Sequence, residues 1–567
     1  MGLETLPQTS DDFLTAGWDD IRPYYEELAA RTLDDVPRWI EDWSALEDLV
    51  HEAGERIGIA YTTDTLDAEK ERRYLEWTAE TEPRLSEQRD RLARRLVESG
   101  YETPELTQVL RRFRTQIELF REESLPLEAE LSRLESAYQK LTGGMSVEWD
   151  GERLTVPQVQ AKLSEADRSV RERAYRAHLR PYVEQRDGMA SIFDAMYAAR
   201  QQVARNAGFA SYRDFAHRRK NRFDYTPDDC LRWHEAVEAT VVPALERSLE
   251  RRRRRMGLER LRPWDVVGSP DPEGRPALRP FEDVADLVAG AGRIFERVDS
   301  SLGARFRTMV DASSLDLASR HGKAPGGYCT ELARRRLPFI FMNAVGRQGD
   351  VETLLHESGH GFHVFESAPL PLYWQREYGA EIAEVASMSM ELLGAPYLER
   401  REGGFYSEED ARRARADHLE GIIAILCHIA SIDAFQQWIY TDPDGADRDR
   451  RDAAWLRIRA RFQPGMDWSG LEAERTARWY KQLHLFLYPF YYIEYGLAQL
   501  GALQVWRNSL TDRAAAVRAY RRALSLGATR PLPDLFAAAG ARLVFDTPTM
   551  RELVTLIEEE LDRIAPP

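Results

Sequence analysis

His356 and His360 are the two residues of this sequence best suited to hold one metal ion. In an α-helix, side chains four positions apart lie one above the other, so both imidazoles can reach an ion from the same face. Glu357 completes the pattern His-Glu-x-x-His, in which the carboxylate can take a proton from a water molecule activated by the metal. The pattern therefore predicts metal-assisted hydrolysis.

The residues around this pattern predict the helix that it requires. Asp350 is a favourable N-cap residue at the start of the segment. Leu354, Leu355 and Phe362 supply an apolar side that a helix can bury. No proline interrupts the segment before Pro369. We therefore expect the two histidines to lie on a continuous helix.

A catalytic zinc site needs three protein ligands and one open position, so a third ligand must follow. His363 lies one further turn along the same helix, about 5 Å down its axis, which is too far for one ion to reach three successive turns. We expect His363 to be a core residue or to support a ligand. Glu381 and Glu384 both lie on a second predicted helix over residues 378–393, and the residues alone leave both open.

Two segments, HESGH at 356–360 and AEVAS at 383–387, together resemble a known family. They are similar to the thimet-oligopeptidase-like metallopeptidases of family M3, specifically the oligoendopeptidase F and Pz-peptidase branch. The third zinc ligand of that branch is the glutamate of the second segment, so the resemblance implies Glu384 and one Zn²⁺ per chain. The resemblance is clearest from about residue 316 to residue 500.

The stretch 484–496, HLFLYPFYYIEYG, is rich in hydrogen-bond donors. Attack on a peptide carbonyl creates an oxyanion that such donors stabilise, although an aromatic core stripe would show the same spacing. The resemblance implies that His484, Tyr492 and Tyr495 polarise the carbonyl and stabilise this oxyanion. We predict a substrate contact at Tyr488, with Tyr491 as the alternative register.

A small sheet is predicted immediately before the metal-binding helix. Its outer strand could pair with an extended peptide through backbone hydrogen bonds. Within segments that also resemble the family, we predict that Gly326, Gly327, Tyr328 and Phe341 contact the substrate. Strands are predicted over residues 305–310, 315–317, 328–330 and 337–343.

The remaining chain is predicted to be mainly α-helical, because apolar residues recur at helical spacing. We divide it into an N-terminal helical region, 1–145, a helical region with one β-hairpin at Asp150-Gly151, 146–280, and a catalytic region, 281–567. A link rich in proline and glycine over 262–280 marks the last boundary. The resemblance implies helical subdomains that enclose a deep cleft with zinc on its floor.

Composition excludes several classes of partner. The chain has 567 residues and a formal net charge of −17, which argues against nucleic acid and against an anionic membrane surface. No apolar run approaches the ~18–20 residues that cross a bilayer, and no secretory signal is visible. Three scattered cysteines do not form a disulfide framework. We predict a cytoplasmic protein.

Together these observations predict a zinc-dependent endopeptidase that cuts internal bonds of short, unstructured oligopeptides, with Glu357 as the general base. One alternative is a peptidyl-dipeptidase of the same family, which would need a cationic group to hold the C-terminal carboxylate of its substrate. The other is a non-catalytic helical protein that binds peptides. The intact Glu357 and the complete ligand set argue against the second alternative.

Overall fold

The computed structural model describes residues 3–268 and 270–565, and its backbone forms two compact units. The first unit is built from the described residues of Met1–Glu118, Arg279–Ala411 and Ala498–Leu543. The second is built from those of Leu119–Leu278, Arg412–Leu497 and Val544–Pro567. Each unit is therefore assembled from separated parts of the chain, and residues 281–567, predicted as one catalytic region, contribute to both.

The described chain is mainly α-helical, as predicted. Its helices are α1 (Trp18–Ala30), α2 (Val36–Thr63), α3 (Ala68–Glu76), α4 (Glu82–Glu98), α5 (Thr107–Leu119), α6 (Leu125–Gly143), α7 (Val156–Gln160), α8 (Arg168–Glu184), α9 (Arg186–Asn206), α10 (Tyr212–Arg219), α11 (Pro227–Arg255), α12 (Val284–Val298), α13 (Ser300–Asp311), α14 (Gln348–Ser367), α15 (Tyr373–Arg376), α16 (Ala380–Gly394), α17 (Glu408–Thr441), α18 (Arg448–Phe462), α19 (Glu472–Ala477), α20 (Leu483–Leu487), α21 (Tyr492–Thr511), α22 (Arg513–Ser525), α23 (Leu532–Ala538) and α24 (Thr547–Ile564).

The second unit contains the predicted hairpin. Strands β1 (Ser146–Trp149) and β2 (Glu152–Thr155) pair in antiparallel register. Asp150 and Gly151 between them have φ angles of 52° and 85°. Two successive positive φ angles define a type I′ turn, whose twist matches that of the flanking strands. The hairpin prediction is therefore confirmed.

The first unit contains the predicted sheet, made of β3 (Leu315–Ala318), β4 (Tyr328–Leu332) and β5 (Leu337–Ala344). The strand order is β3-β5-β4, with β3 parallel and β4 antiparallel to the central strand β5. The sheet packs beside α14, the helix that carries His-Glu-x-x-His. The prediction of a small sheet next to this helix is confirmed.

One predicted strand is wrong, because residues 305–310 lie in α13. Leu302, Phe306 and Met309 are buried there at a spacing of four and three residues, which is the period of a helix face. The short segment after Arg305 showed only part of that period. The helix covers its apolar side against neighbours of the first unit, so tertiary burial decides its conformation.

The apolar composition of one helix is higher than the sequence analysis predicted for any segment of the chain. Helix α17 satisfies the length and composition of such a span. Its most apolar window is 67% buried inside the fold, which is typical of a core helix in a water-soluble domain. Burial of this window accounts for its apolar composition without a membrane.

Lys323 ties the two parallel strands of the sheet together. Its Nζ donates to the carbonyl oxygens of Asp316 at 2.9 Å, Ala318 at 3.0 Å and Met342 at 2.6 Å, and to Asp316 Oδ1 at 2.9 Å. The Lys323 side chain is 0% exposed. The ammonium has three N–H donors, so all of them find acceptors among these four oxygens. Removal of the ammonium would leave buried acceptors without their donor.

We expect Lys323→Met to destabilise the first unit by roughly 2–4 kcal/mol, because buried acceptors that lose a charged donor keep their desolvation cost. Hydrogen exchange of the β3 and β5 amides, followed by mass spectrometry, would report this loss. Lys140→Met, at an exposed position of α6, is the matched control and should leave exchange unchanged. Unchanged protection in Lys323→Met would contradict the assigned role.

Candidate metal centre

The sheet leads directly into the helix of the candidate metal centre. Strand β5 ends at Ala344 and α14 begins at Gln348. Asp350 Oδ2 accepts the backbone N–H groups of Val345 and Arg347, both at 2.8 Å. Asp350 is therefore the third residue of the helix, where it closes a capping box, and the prediction that it is the N-cap is wrong by three residues.

Gly359 allows α14 and α16 to approach very closely. A Cβ atom at this position would lie 2.5 Å from Ser387 Cα and 2.6 Å from the Ala386 carbonyl oxygen. Both contacts are with backbone, which cannot rotate out of the way as a side chain can. The glycine between the two histidines therefore sets how near the second helix can bring Glu384.

The structure brings His356, His360 and Glu384 together. Glu384 Oε2 lies 3.3 Å from His356 Nε2 and 3.7 Å from His360 Nε2. One ligand atom from each residue lies within 4.8 Å of the other two. Two imidazole nitrogens and one carboxylate oxygen are a typical donor set for catalytic zinc, so these residues fit the ion that the resemblance implies.

Two further residues orient these ligands, and sequence reasoning missed both. Glu391 Oε1 lies 2.6 Å from His356 Nδ1, which directs Nε2 of that ring towards Glu384. Ser387 Oγ donates to Glu384 Oε2 at 2.9 Å. Outer hydrogen bonds of this kind fix the orientation of metal ligands. Their spacing on α16, three and seven residues after Glu384, is a helix-face signal that could have revealed them.

The charges of the centre suit a cation. Burial opposes ionisation of Glu384, but the hydrogen bond with His356 and the electrostatic attraction of the two histidine rings hold its pKa below the ordinary value. Burial lowers the pKa of His360 to about 4, so this imidazole is neutral at pH 7. Burial also opposes protonation of His356, but its bonds to Glu384 and Glu391 raise its pKa. A proton and a metal ion therefore compete for the same position.

Glu357 lies in an environment that favours its protonated form. Its side chain is buried, with 8% of the residue exposed. Burial raises the pKa of Glu357 to about 7; the positive charge of His356 opposes this shift, and the carboxylates of Glu384 and Glu391 add to it. A carboxyl group that titrates near neutral pH can both accept and donate a proton, as a general base and acid must.

The other two candidates for the third ligand are not part of this cluster. His363 is 0% exposed, and its ring stacks on that of Tyr378. Burial lowers its pKa well below the ordinary value, which is consistent with the expected core position. Among the described residues that could together hold a metal ion, Glu381 does not join the two histidines, although it lies on the same helix as Glu384.

The predicted substrate contacts of the first unit fall into two groups. Gly326 and Gly327 are exposed, and Gly326 has a φ of 103°, which favours glycine. The half-buried Tyr328 hydroxyl lies 2.7 Å from Thr62 Oγ1. Phe341, in contrast, is 1% exposed, and its ring stacks on Tyr328 at 4.9 Å. The side chain of Phe341 therefore supports the ring of Tyr328, and the predicted contact of Phe341 with the substrate stays a prediction.

The predicted donors of the second unit form one aromatic cluster around His484. Its ring lies 4.8 Å from that of Tyr492, 5.9 Å from those of Tyr488 and Tyr491, and 6.2 Å from that of Tyr495. Tyr488 is 54% exposed, and the other three tyrosines are half-buried. Tyr488 and its alternative Tyr491 therefore both lie next to His484.

A strained turn separates α20 from α21 and holds this cluster in place. Phe490 has a φ of 62°, which is unusual for a bulky residue. Its N–H donates to Gln436 Oε1 at 2.5 Å, and its carbonyl oxygen accepts from Arg222. Arg222 also pairs with Glu494 at 2.7 Å. These buried contacts maintain a conformation that the turn would not adopt alone.

Comparisons with known proteins identify the family to which this chain is similar. Residues 161–555 match the family model described as peptidase family M3. A solved structure of Pz peptidase A with inhibitor 2 is 26% identical, with a TM-score of 0.87 and 100% of both chains covered. A structure described as an oligoendopeptidase F is 27% identical, with a TM-score of 0.88 and coverage of 100% of this chain and 99% of the other.

A curated relative is matched over part of its length. Oligopeptidase PepF of Bacillus subtilis (strain 168) is 22% identical over 408 residues. The match covers 71% of this chain and 58% of that protein, so this chain spans little more than half of the relative.

Gly359→Ala should weaken metal binding, because the added methyl group would push α16 and Glu384 away from the two histidines. We expect the affinity for Zn²⁺ to fall about 10–100-fold, the range seen when ligand positioning is disturbed. Competition with a chelator would measure it. Gly349→Ala, near the start of the same helix where a Cβ meets nothing within 4 Å, is the control. Equal affinities in the two variants would disprove the close-approach argument.

Proposed function

Because this chain belongs to peptidase family M3, a family of metallopeptidases, we propose that it is a zinc-dependent endopeptidase of short, unstructured oligopeptides. The observation that supports this proposal best is the convergence of His356, His360 and Glu384 within 4.8 Å. Glu357 lies next to the first of these ligands, and its carboxyl group titrates near neutral pH. A cytoplasmic location is part of the same proposal.

His356, His360 and Glu384 would hold the zinc ion, which supplies Lewis-acid polarisation of a water molecule and of the scissile carbonyl. Glu391 and Ser387 keep His356 and Glu384 in the orientations that binding requires. Their hydrogen bonds restrict the ligand side chains before any ion arrives, so less conformational freedom remains to be lost on binding.

Glu357 would transfer the proton. Its carboxylate takes a proton from the attacking water and afterwards gives a proton to the nitrogen of the leaving amine, so the group returns to its starting state. A pKa of about 7 supports both steps, since ionised and protonated forms are then close in free energy at neutral pH.

His484, Tyr492 and Tyr495 would donate hydrogen bonds to the carbonyl oxygen as negative charge develops there, as the family resemblance implies. Burial raises the pKa of Tyr492 to about 12, against the opposing charge of Arg459, so this hydroxyl keeps its proton at neutral pH. Burial and the charge of Lys220 lower the pKa of His484, which favours the neutral ring. Both groups are thus suited to donate without ionising.

The peptide itself would lie along the edge of the sheet. Strand β4 is an edge strand in the order β3-β5-β4, and the exposed Gly326 and Gly327 precede it. An extended peptide can add to such an edge through backbone hydrogen bonds, which do not depend on its sequence. Pairing of this kind needs an extended segment with free backbone groups, which an unstructured peptide presents.

Glu357→Gln should remove hydrolysis while leaving metal binding intact, because the amide keeps the shape of the side chain but cannot accept the proton. We expect kcat/KM to fall about 10²–10⁴-fold, the usual contribution of a general base. Peptides of graded length and unfolded casein would be digested and the cuts mapped by mass spectrometry. Glu352→Gln, the same change on the same helix, is the control. Internal cuts that persist in Glu357→Gln would contradict this mechanism.

The pH profile should report the ionisation of Glu357. A general base acts only when it is deprotonated, and burial raises the pKa of Glu357 to about 7. We therefore expect kcat/KM to be constant above this pH and to fall about tenfold per pH unit below it. Circular dichroism at each pH would show that the fold persists. A flat profile down to pH 5 would rule out Glu357 as the titrating base.

A further inference from the structure

Arg459 of the second unit is buried, and no described residue gives it a negative partner. It is 3% exposed. Its Nη1 donates to His428 Nδ1 at 3.0 Å and its Nη2 donates to the side-chain oxygen of Gln463. No ion pair joins it to a carboxylate within the described part of the chain. Arg222 of the same unit, in contrast, is buried against Glu494 at 2.7 Å.

Two neighbouring arginines add to this uncompensated charge. Burial, followed by the charges of Arg478 and Arg475, lowers the pKa of Arg459 well below its ordinary value. Glu474, a carboxylate on the same segment, lies 3.9 Å from Arg176 instead. A buried cation without a counter-charge costs folding free energy. The chain has a net charge of −17, so carboxylates are abundant in it, yet none of the described carboxylates pairs with Arg459. A bound anion from outside the chain would compensate the positive charge of Arg459, Arg475 and Arg478.

A cavity of about 270 Å³ lies within the second unit, and Arg478 is the one of these three arginines that lines it. Arg478, His428 and Gln463 supply its polar wall. Its size suits one or two amino-acid residues of a ligand rather than a whole drug-sized molecule. The rest of the wall is largely apolar, formed by Leu245, Leu249, Val266, Val267, Ile425 and Met466. A suitable ligand therefore combines an anionic group with an apolar body.

His428 links this cavity to the proposed oxyanion donors of the same unit. Its ring meets that of Tyr492 edge-on, with the centroids 5.6 Å apart. The ring of Tyr492 in turn meets that of His484 edge-on at 4.8 Å. A ligand held against His428 is thus one or two side chains away from groups that we assign to catalysis.

We propose that this cavity binds the C-terminal carboxylate of a peptide, with Arg478 as its direct partner and the apolar wall around the last side chain. The inference rests on the proposed function, because a peptide is the ligand that the neighbouring Tyr492 and His484 would act on. A guanidinium matches the planar carboxylate with two parallel hydrogen bonds. Arg459, behind His428, adds positive charge to the same wall without contacting the ligand.

Matched peptides test the proposal. Each pair has one sequence that ends in leucine, once as the free acid and once as the C-terminal amide. We expect the wild-type protein to hydrolyse the acid with a kcat/KM about tenfold higher, and the difference to lie in KM. Arg478→Gln should lower the ratio of acid to amide to below about two, whereas Arg478→Lys should retain part of it. Equal rates for both forms in the wild type, or an unchanged ratio in Arg478→Gln, would overturn the proposal.

Arg475→Gln is the matched control. Arg475 and Arg478 both lie over the ring of Trp468, at 5.4 Å and 5.2 Å, but only Arg478 lines the cavity. The ratio of acid to amide should therefore stay within about twofold of the wild type in Arg475→Gln. An equal loss in the two variants would show a general charge effect and would count against a carboxylate site.

Binding measured without hydrolysis separates this proposal from the proposed function. N-acetyl-leucyl-leucine and its amide would be titrated into Glu357→Gln, with and without Arg478→Gln, by calorimetry. Selective binding of the acid that disappears with Arg478→Gln would support the carboxylate site. If the wild type also cuts no peptide, only the proposed function would be contradicted. If the wild type hydrolyses acid and amide peptides at equal rates and both ligands bind equally, only the carboxylate site would be contradicted.

Discussion

The metal centre depends on how closely two helices can approach. The two histidines are fixed by the period of α14, but the third ligand must arrive from α16. Gly359 permits that approach, since any side chain there would meet the backbone of Ala386 and Ser387. The separation of 3.3 Å between Glu384 and His356 follows from it. A change of one methyl group at the contact is therefore transmitted to the ligand geometry.

Charge is distributed around this contact in a way that favours both binding and proton transfer. Glu391 and Glu384 place negative charge on either side of His356, and the same charges help keep the neighbouring Glu357 protonated near neutral pH. The same two carboxylates thus orient the metal ligand and raise the pKa of the base. The second unit shows the opposite arrangement, in which Arg459 is buried without a carboxylate partner among residues 3–268 and 270–565.

Most local parts of this structure could be predicted from the residues alone, whereas the long-range choice of Glu384 as the partner of the two histidines came only from the family resemblance. The spacing of His356 and His360 and the turn at Asp150-Gly151 depend on neighbouring residues, so their patterns identified them. Asp350 was predicted as the N-cap but is the third residue of the helix, because both positions favour an acidic residue. The unpaired Arg459 gave no signal, since it becomes apparent only when distant segments pack together.

X-ray absorption at the zinc edge tests the central claim most directly. The wild-type protein, loaded with Zn²⁺, should bind one ion per chain, with two imidazole nitrogens and a carboxylate oxygen at about 2.0–2.2 Å. Glu384→Ala should lose the carboxylate contribution and bind zinc more weakly while its fold is unchanged. An identical zinc spectrum after replacement of both His356 and His360 would contradict the account, because the ion would then be held elsewhere.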